Sequence, residues 1–119
     1  MFISSVSFQA RSALKRDFDS GHIPLKRDIT GKPLIKGYVS LDHTIPKSKG
    51  GKSELFNYSL MDIIANNKRG SKPLKEFINL ESLIEYIRIM LEVKTENING
   101  IEYLKGWLKT LQRAIKEGK

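Results

Sequence analysis

The chain contains no cysteine. That absence excludes disulfides and thiolate zinc sites, so any metal must be held by oxygen and imidazole. A long apolar run is also missing: nothing approaches the roughly 18 residues of a membrane-spanning helix. The N-terminal MFISSVSFQARSALKRDF has no cationic stretch ahead of an apolar one. No span, export signal or anchor is expected, which leaves a cytoplasmic protein with no membrane partner. Acidic residues are scarce too. Against 21 Lys and Arg stand 13 Asp and Glu, a net charge of +8 over 119 residues, and this balance favours an anionic partner such as nucleic acid or an acidic membrane surface. Internal repeats and low-complexity tracts are absent, and the lysines are dispersed rather than blocked. The length suits one domain, residues 1–119, with a modest core.

What is present divides the chain into three parts. In residues 1–37, Ile3, Val6, Ala10, Leu14 and Phe18 recur at helical spacing and Asp19-Ser20-Gly21 supplies a stop; turns follow around Pro24, Gly31, Pro33 and Gly37. Residues 38–70 read as strand (Tyr38 to His43), loop (Pro46 to Lys52), short return strand (Glu54 to Phe56) and helix. Asn57 fits that helix's N-cap, Leu60, Met61, Ile63 and Ile64 its apolar face, and Gly70 its end. In residues 74–117, two amphipathic helices are expected. One carries the stripe Leu80, Leu83, Ile84, Ile87, Leu91, the other Ile101, Leu104, Leu108, Leu111, Ile115, and Asn97 to Gly100 breaks them. The predicted fold class is α+β, mostly α: a hairpin and helix packed among N-terminal and C-terminal helices.

Chemistry concentrates in the middle part. Asp42-His43 stands at a strand end before a Lys-Gly-Gly loop, and Asn66-Asn67-Lys68-Arg69-Gly70 closes the helix that follows. Phosphodiester hydrolysis needs water deprotonated near neutral pH and a cation to take up charge on the phosphoryl and leaving oxygens. His43 suits the general base, since an imidazole with a pKa of about 6.5 accepts a proton at working pH. Asp42 suits a metal ligand. The other histidine, His22, lies in a turn without such company, and a structural or solvent role is expected for it.

Taken together, DH, IP, the GG loop, Asn57 and N-x-x-R-G resemble the HNH, or ββα-metal, endonuclease family over about residues 38 to 70, roughly a quarter of the chain. DITGKPL, Asp28 to Leu34, is similar to the segment that often precedes the motif in phage-type members. The resemblance implies that Asp42 and Asn66 ligate one divalent cation, that His43 activates water, and that Asn57 hydrogen-bonds the hairpin loop and so orients His43. Asn57 and Asn66 are expected on one helix. A carboxylate with an amide oxygen suits Mg²⁺ or Mn²⁺ better than Zn²⁺. Many relatives bind a structural zinc through paired cysteines around the helix; Asp62 and Ala65 stand there in this chain, so packing from the flanking helices must prop the motif.

The implied partner is DNA, with RNA left open, in a bacterial or phage-infected cell; monomer and homodimer both stand. Lys47, Lys49 and Lys52 in the loop and Lys68 and Arg69 at the helix end are candidate phosphate contacts. Lys105, Lys109, Arg113 and Lys116 share a polar face of the last helix, a solvated surface or a DNA-contacting one, and Trp107 is expected at the edge of that helix's buried stripe. Two other functional classes compete with a nuclease. One is a non-catalytic nucleic-acid-binding or regulatory protein on the same scaffold; the other is a helical interaction protein whose C-terminal pair docks a partner.

Overall fold

A computed structural model of the chain describes residues 13–119. The fold is α+β and mostly α. Among the described residues its elements are helix α1 (residues 13–19), strands β1 (Val39–His43) and β2 (Tyr58–Asp62), and helices α2 (Ile63–Arg69), α3 (Leu80–Leu91) and α4 (Gly100–Lys116). Short 3₁₀ turns lie at Lys47–Lys49, Leu55–Asn57 and Leu74–Glu76. The positions Ile3, Val6 and Ala10 of the expected N-terminal helix lie outside the described residues. Leu14 and Phe18 are buried, and the helix stops at Ser20-Gly21, where Gly21 takes a φ of 82° that costs glycine little. Asp17 of α1 accepts a hydrogen bond from Thr95 Oγ1 at 2.5 Å, tying α1 to the α3–α4 connection.

β1 and β2 pair antiparallel, with His43 opposite Tyr58, Asp42 opposite Ser59 and Leu41 opposite Leu60. The return strand therefore begins at Tyr58. Glu54 to Phe56, expected in that strand, instead lead into the 3₁₀ turn at Leu55–Asn57. The helix likewise starts later than expected, because Tyr58 to Met61 are buried on both faces of β2 and so lack the alternation that marks a strand. Leu60 and Met61 are fully buried strand residues, whereas Ile63 and Ile64 in α2 are exposed. Asp62 caps α2, its carboxylate accepting from the Ala65 amide at 3.0 Å.

The outer side of β2 is held by side chains. The Leu60 amide donates to the Tyr86 hydroxyl at 3.2 Å, the Tyr103 hydroxyl donates to the Tyr58 carbonyl at 2.6 Å, and the Asp62 amide donates to Asp28 Oδ2 at 2.9 Å. These bonds satisfy backbone groups that would otherwise be lost in the interior. Asp28, the first residue of DITGKPL, also closes its own turn by accepting from the Thr30 and Lys32 amides and the Thr30 hydroxyl. One buried carboxylate thus shapes that segment and fastens it to the hairpin.

Helices α3 and α4 form where expected, capped by Asn79 and Asn99, whose side chains accept from the Ser82 and Glu102 amides. Their buried faces are rotated from the expected stripes. In α3 the buried residues are Ser82, Tyr86 and Met90, while Leu80, Ile84 and Leu91 of the stripe are exposed. In α4, Leu104 and Leu111 are buried as expected, yet Ile101 and Ile115 are exposed, and Tyr103, Trp107 and Ala114 fill the core. Trp107 is central rather than peripheral: its ring centroid lies 4.9 Å from that of Tyr86 and 6.0 Å from that of Tyr103. Gly106 in mid-helix has a packing cause, since a Cβ there would stand 2.4 Å from the Phe56 ring. α4 can lie against the 3₁₀ turn that leads into β2 only without that carbon.

Candidate active site

β1 ends on His43, and the chain leaves it through buried Thr44, Ile45 and Pro46 into the basic loop. Successive strand residues point to opposite faces, so Asp42 turns inward while His43 stays half-buried. Because the strand stops there, both residues border one cleft of about 280 Å³ at the seam of β1, the loop and the end of α2, together with Asn66, Pro46, Lys47 and Ser48. Asp42, His43 and Asn66, named from the sequence as ligand, base and ligand, are therefore neighbours in space.

Asn66 in α2 donates from Nδ2 to Ser40 Oγ at 2.8 Å, and Ser40 in turn donates to the Met61 carbonyl. Committing the amide nitrogen to β1 leaves the amide oxygen as the atom with ligand chemistry. His43 Nε2 meets Ser53 Oγ at 3.1 Å, and its ring packs edge-on to Tyr58 with centroids 5.1 Å apart. A loop serine on one side and a strand tyrosine on the other fix the plane of the imidazole.

Asn57 does not sit on a helix with Asn66, contrary to expectation; it ends the 3₁₀ turn before β2 and is buried. From there its side chain pins the loop at three points. Oδ1 accepts from the Ile45 amide at 2.8 Å, and Nδ2 donates to the carbonyls of Ile45 at 3.0 Å and Lys52 at 2.9 Å. Its link to His43 runs through the loop. Gly51 completes this closure, since a Cβ there would stand 1.7 Å from the Ile45 carbonyl oxygen.

Arg69 differs most from expectation. It is fully buried rather than presented to a phosphate, and all five of its N–H donors are used. Nη1 donates to Asp42 Oδ2 at 2.7 Å and to the His43 carbonyl at 2.9 Å, Nη2 to the carbonyls of Thr44 at 3.0 Å and Lys119 at 3.2 Å, and Nε to that of Lys72 at 3.1 Å. A guanidinium so placed cannot reach a nucleic acid without unfolding its surroundings. Lys47, Lys52 and Lys68 are exposed and Lys49 is half-exposed, so these four remain at the surface around the cleft and loop. Burial pushes the Asp42 carboxyl up to about 6, desolvation outweighing the opposing pull of Arg69.

Beneath the site, the Trp107 indole donates to Ser59 Oγ at 2.9 Å, and Ser59 shares a hydrogen bond of 2.8 Å with Thr44 Oγ1. Ser59 faces Asp42 across the hairpin. Sequence reasoning missed Ser59, Thr44, Tyr86 and Tyr103; only the lone tryptophan and paired tyrosines in otherwise aliphatic helices hinted at them. Asp62 and Ala65, standing where paired cysteines for a structural zinc are lacking, are joined by the helix-capping bond described above.

Among the described residues no three His, Cys, Asp or Glu side chains gather into a metal cluster. Beside the His43 imidazole the cleft offers one carboxylate and one amide oxygen, a pair of oxygen donors that suits a hard cation retaining several waters. No helix among the described residues is long and apolar enough to cross a membrane. No family model matches the sequence, and no curated protein matches it.

Proposed function

We propose that the protein is a divalent-cation-dependent endonuclease that hydrolyses phosphodiester bonds of DNA, working in the cytoplasm of a bacterial or phage-infected cell. The observation that carries the reading is the convergence of Asp42, His43 and Asn66 on one cleft, beside a loop that Asn57 ties shut. A net charge of +8 supports an anionic polymer as substrate.

Each residue then has a defined task. His43, held between Ser53 and Tyr58, takes a proton from water as the water oxygen bonds to phosphorus; the P–O3′ bond breaks and the departing 3′-oxygen takes a proton from solvent, leaving a 5′-phosphate and a 3′-hydroxyl. Asp42 and Asn66 would hold Mg²⁺ or Mn²⁺, which when bound relieves charge on the phosphoryl and leaving oxygens. Asn57 acts through the loop, and Lys47, Lys49, Lys52 and Lys68 attract flanking phosphates without reading sequence.

The test is a plasmid-nicking assay. Supercoiled DNA should be nicked or linearised with Mg²⁺ or Mn²⁺, EDTA should stop it, and His43→Ala should slow it by about 10²–10⁴-fold, the usual worth of a general base. An alanine variant that cuts at the parent rate would sink the assignment. One observation favours the second reading, a non-catalytic nucleic-acid-binding module: Arg69 already neutralises the Asp42 charge. That reading requires salt-dependent DNA binding in EDTA and no cleavage with any divalent ion.

A further inference from the structure

Arg69 is the basic residue of the N-x-x-R-G stretch, where a side chain at a helix end is ordinarily a surface group, yet among the described residues it is the largest charged side chain that is fully buried. Buried guanidinium groups need acceptors, and this one takes them from three separate places: the end of β1 with the loop entry (Asp42, His43 and Thr44), Lys72 in the turn after α2, and Lys119 beyond α4. Two of those acceptors belong to the residues that matter for hydrolysis. Nη1 alone grips the Asp42 carboxylate and the carbonyl of His43.

We propose that Arg69 is a positioning residue for the cation site: by engaging Asp42 Oδ2 and the His43 carbonyl together, it fixes the carboxylate so that Oδ1 is the atom offered to the cation. The inference rests on the endonuclease reading for the identity of the ligands, but it concerns cation binding and stands or falls without turnover. Two simpler roles make different predictions. Were Arg69 merely a local positive charge, it would repel a dication, and removing it would tighten binding. Were it merely a packing element, losing it would lower stability and leave the affinity of folded protein unchanged. Positioning predicts weaker binding whether or not the charge is kept.

The experiment uses the full chain and MnCl₂ as the probe, with Mn²⁺ affinity measured calorimetrically at pH 7.5 on protein shown by circular dichroism to be folded. Arg69→Lys keeps the charge but offers three donors from one nitrogen, which cannot span the five acceptors. Its dissociation constant should rise by about 10–100-fold, and Arg69→Gln should also bind more weakly despite the lost positive charge. An Arg69→Lys protein with parent affinity, or an Arg69→Gln protein that binds more tightly, overturns the proposal. Should neither variant fold, ¹⁵N-labelled parent protein decides: substoichiometric Mn²⁺ should broaden the Arg69 Nε–H resonance, and a resonance left sharp overturns it. Mn²⁺ binding without DNA cleavage sinks the nuclease reading and leaves this inference standing, whereas a parent protein that binds no Mn²⁺ overturns the inference.

Discussion

Two buried polar networks hold the hairpin, one on each side, and they are built from different chemistry. At the cleft, Arg69 binds Asp42 and four backbone carbonyls, so a full positive charge and a carboxylate are enclosed together. On the helical side, Trp107, Tyr86 and Tyr103 donate or accept through neutral groups while burying their rings. The neutral network gains from both apolar burial and hydrogen bonding, and it is indifferent to pH. The charged network gains little net stability, since desolvating two ions offsets most of their attraction. What it supplies is geometry, because an ion pair with every donor committed tolerates few alternative arrangements. Its position, against Asp42 and His43, the residues proposed for hydrolysis, accords with that.

Arg69→Ala should separate the two networks by the largest margin. It leaves a buried carboxylate without its partner and several carbonyls without donors, and removing one member of a buried pair costs about 3–5 kcal/mol. Set against a typical domain stability of about 5–15 kcal/mol, that is enough to leave the variant marginal. Urea unfolding monitored by Trp107 fluorescence measures it. A loss below about 1 kcal/mol would mean that the charged network is no more than a surface contact.

Why Arg69 escaped the sequence reading while Asp42, His43 and Asn66 did not is a matter of what spacing encodes. The hairpin, its loop and the helix end are marked locally, by Pro46, by Gly50 at φ 91° and by the strand that stops at His43. Residues fixed to such landmarks keep their mutual positions, so three of the named residues meet at one cleft. Arginine at a helix terminus carries no local sign of burial, because its acceptors come from Thr44, Lys72 and Lys119, two of them far along the chain. The same limit explains α3. Its most apolar stripe reads as the core face, yet Tyr86 goes inward because Leu60 and Tyr103 satisfy its hydroxyl there, a partnership that a hydrophobic pattern does not contain. Asn57 was displaced from helix to strand entry for a related reason: doubly buried β2 imitates a helical run.

A smaller effect separates the networks by pH. Asp42 ionises near 6 in the folded protein and near 3.8 when unfolded, so between those values the folded state binds the proton more tightly. Asp42 therefore contributes stability that is present at low pH and lost as pH rises through about 6. Asn at this position resembles the protonated acid, and comparison with it cancels the titration of other groups. In EDTA, the stability of the parent protein relative to Asp42→Asn should fall by roughly 3 kcal/mol between pH 3.5 and 7, the equivalent of about two pKa units. A difference that is flat across this range would show that Arg69 fully compensates the desolvation of the carboxylate.

Tyr86→Phe gives the smallest and cleanest contrast. It keeps the ring against Trp107 and removes only the hydroxyl, which accepts from the Leu60 amide and shares a hydrogen bond with Tyr103. The Leu60 N–H would be left buried without its partner, a loss of about 1–3 kcal/mol. Burial pushes the Tyr86 phenol up to about 12, so it stays neutral throughout the range in which Asp42 titrates. The cost should therefore be the same at pH 4.5 and pH 7, unlike that of Asp42→Asn, and Mn²⁺ affinity should be unchanged because β2 and not β1 carries the lost bond. If Tyr86→Phe weakened Mn²⁺ binding as much as Arg69→Lys, the two networks would act as one, with the aromatic core transmitting its register across the hairpin through Ser59 and Thr44 to the carboxylate.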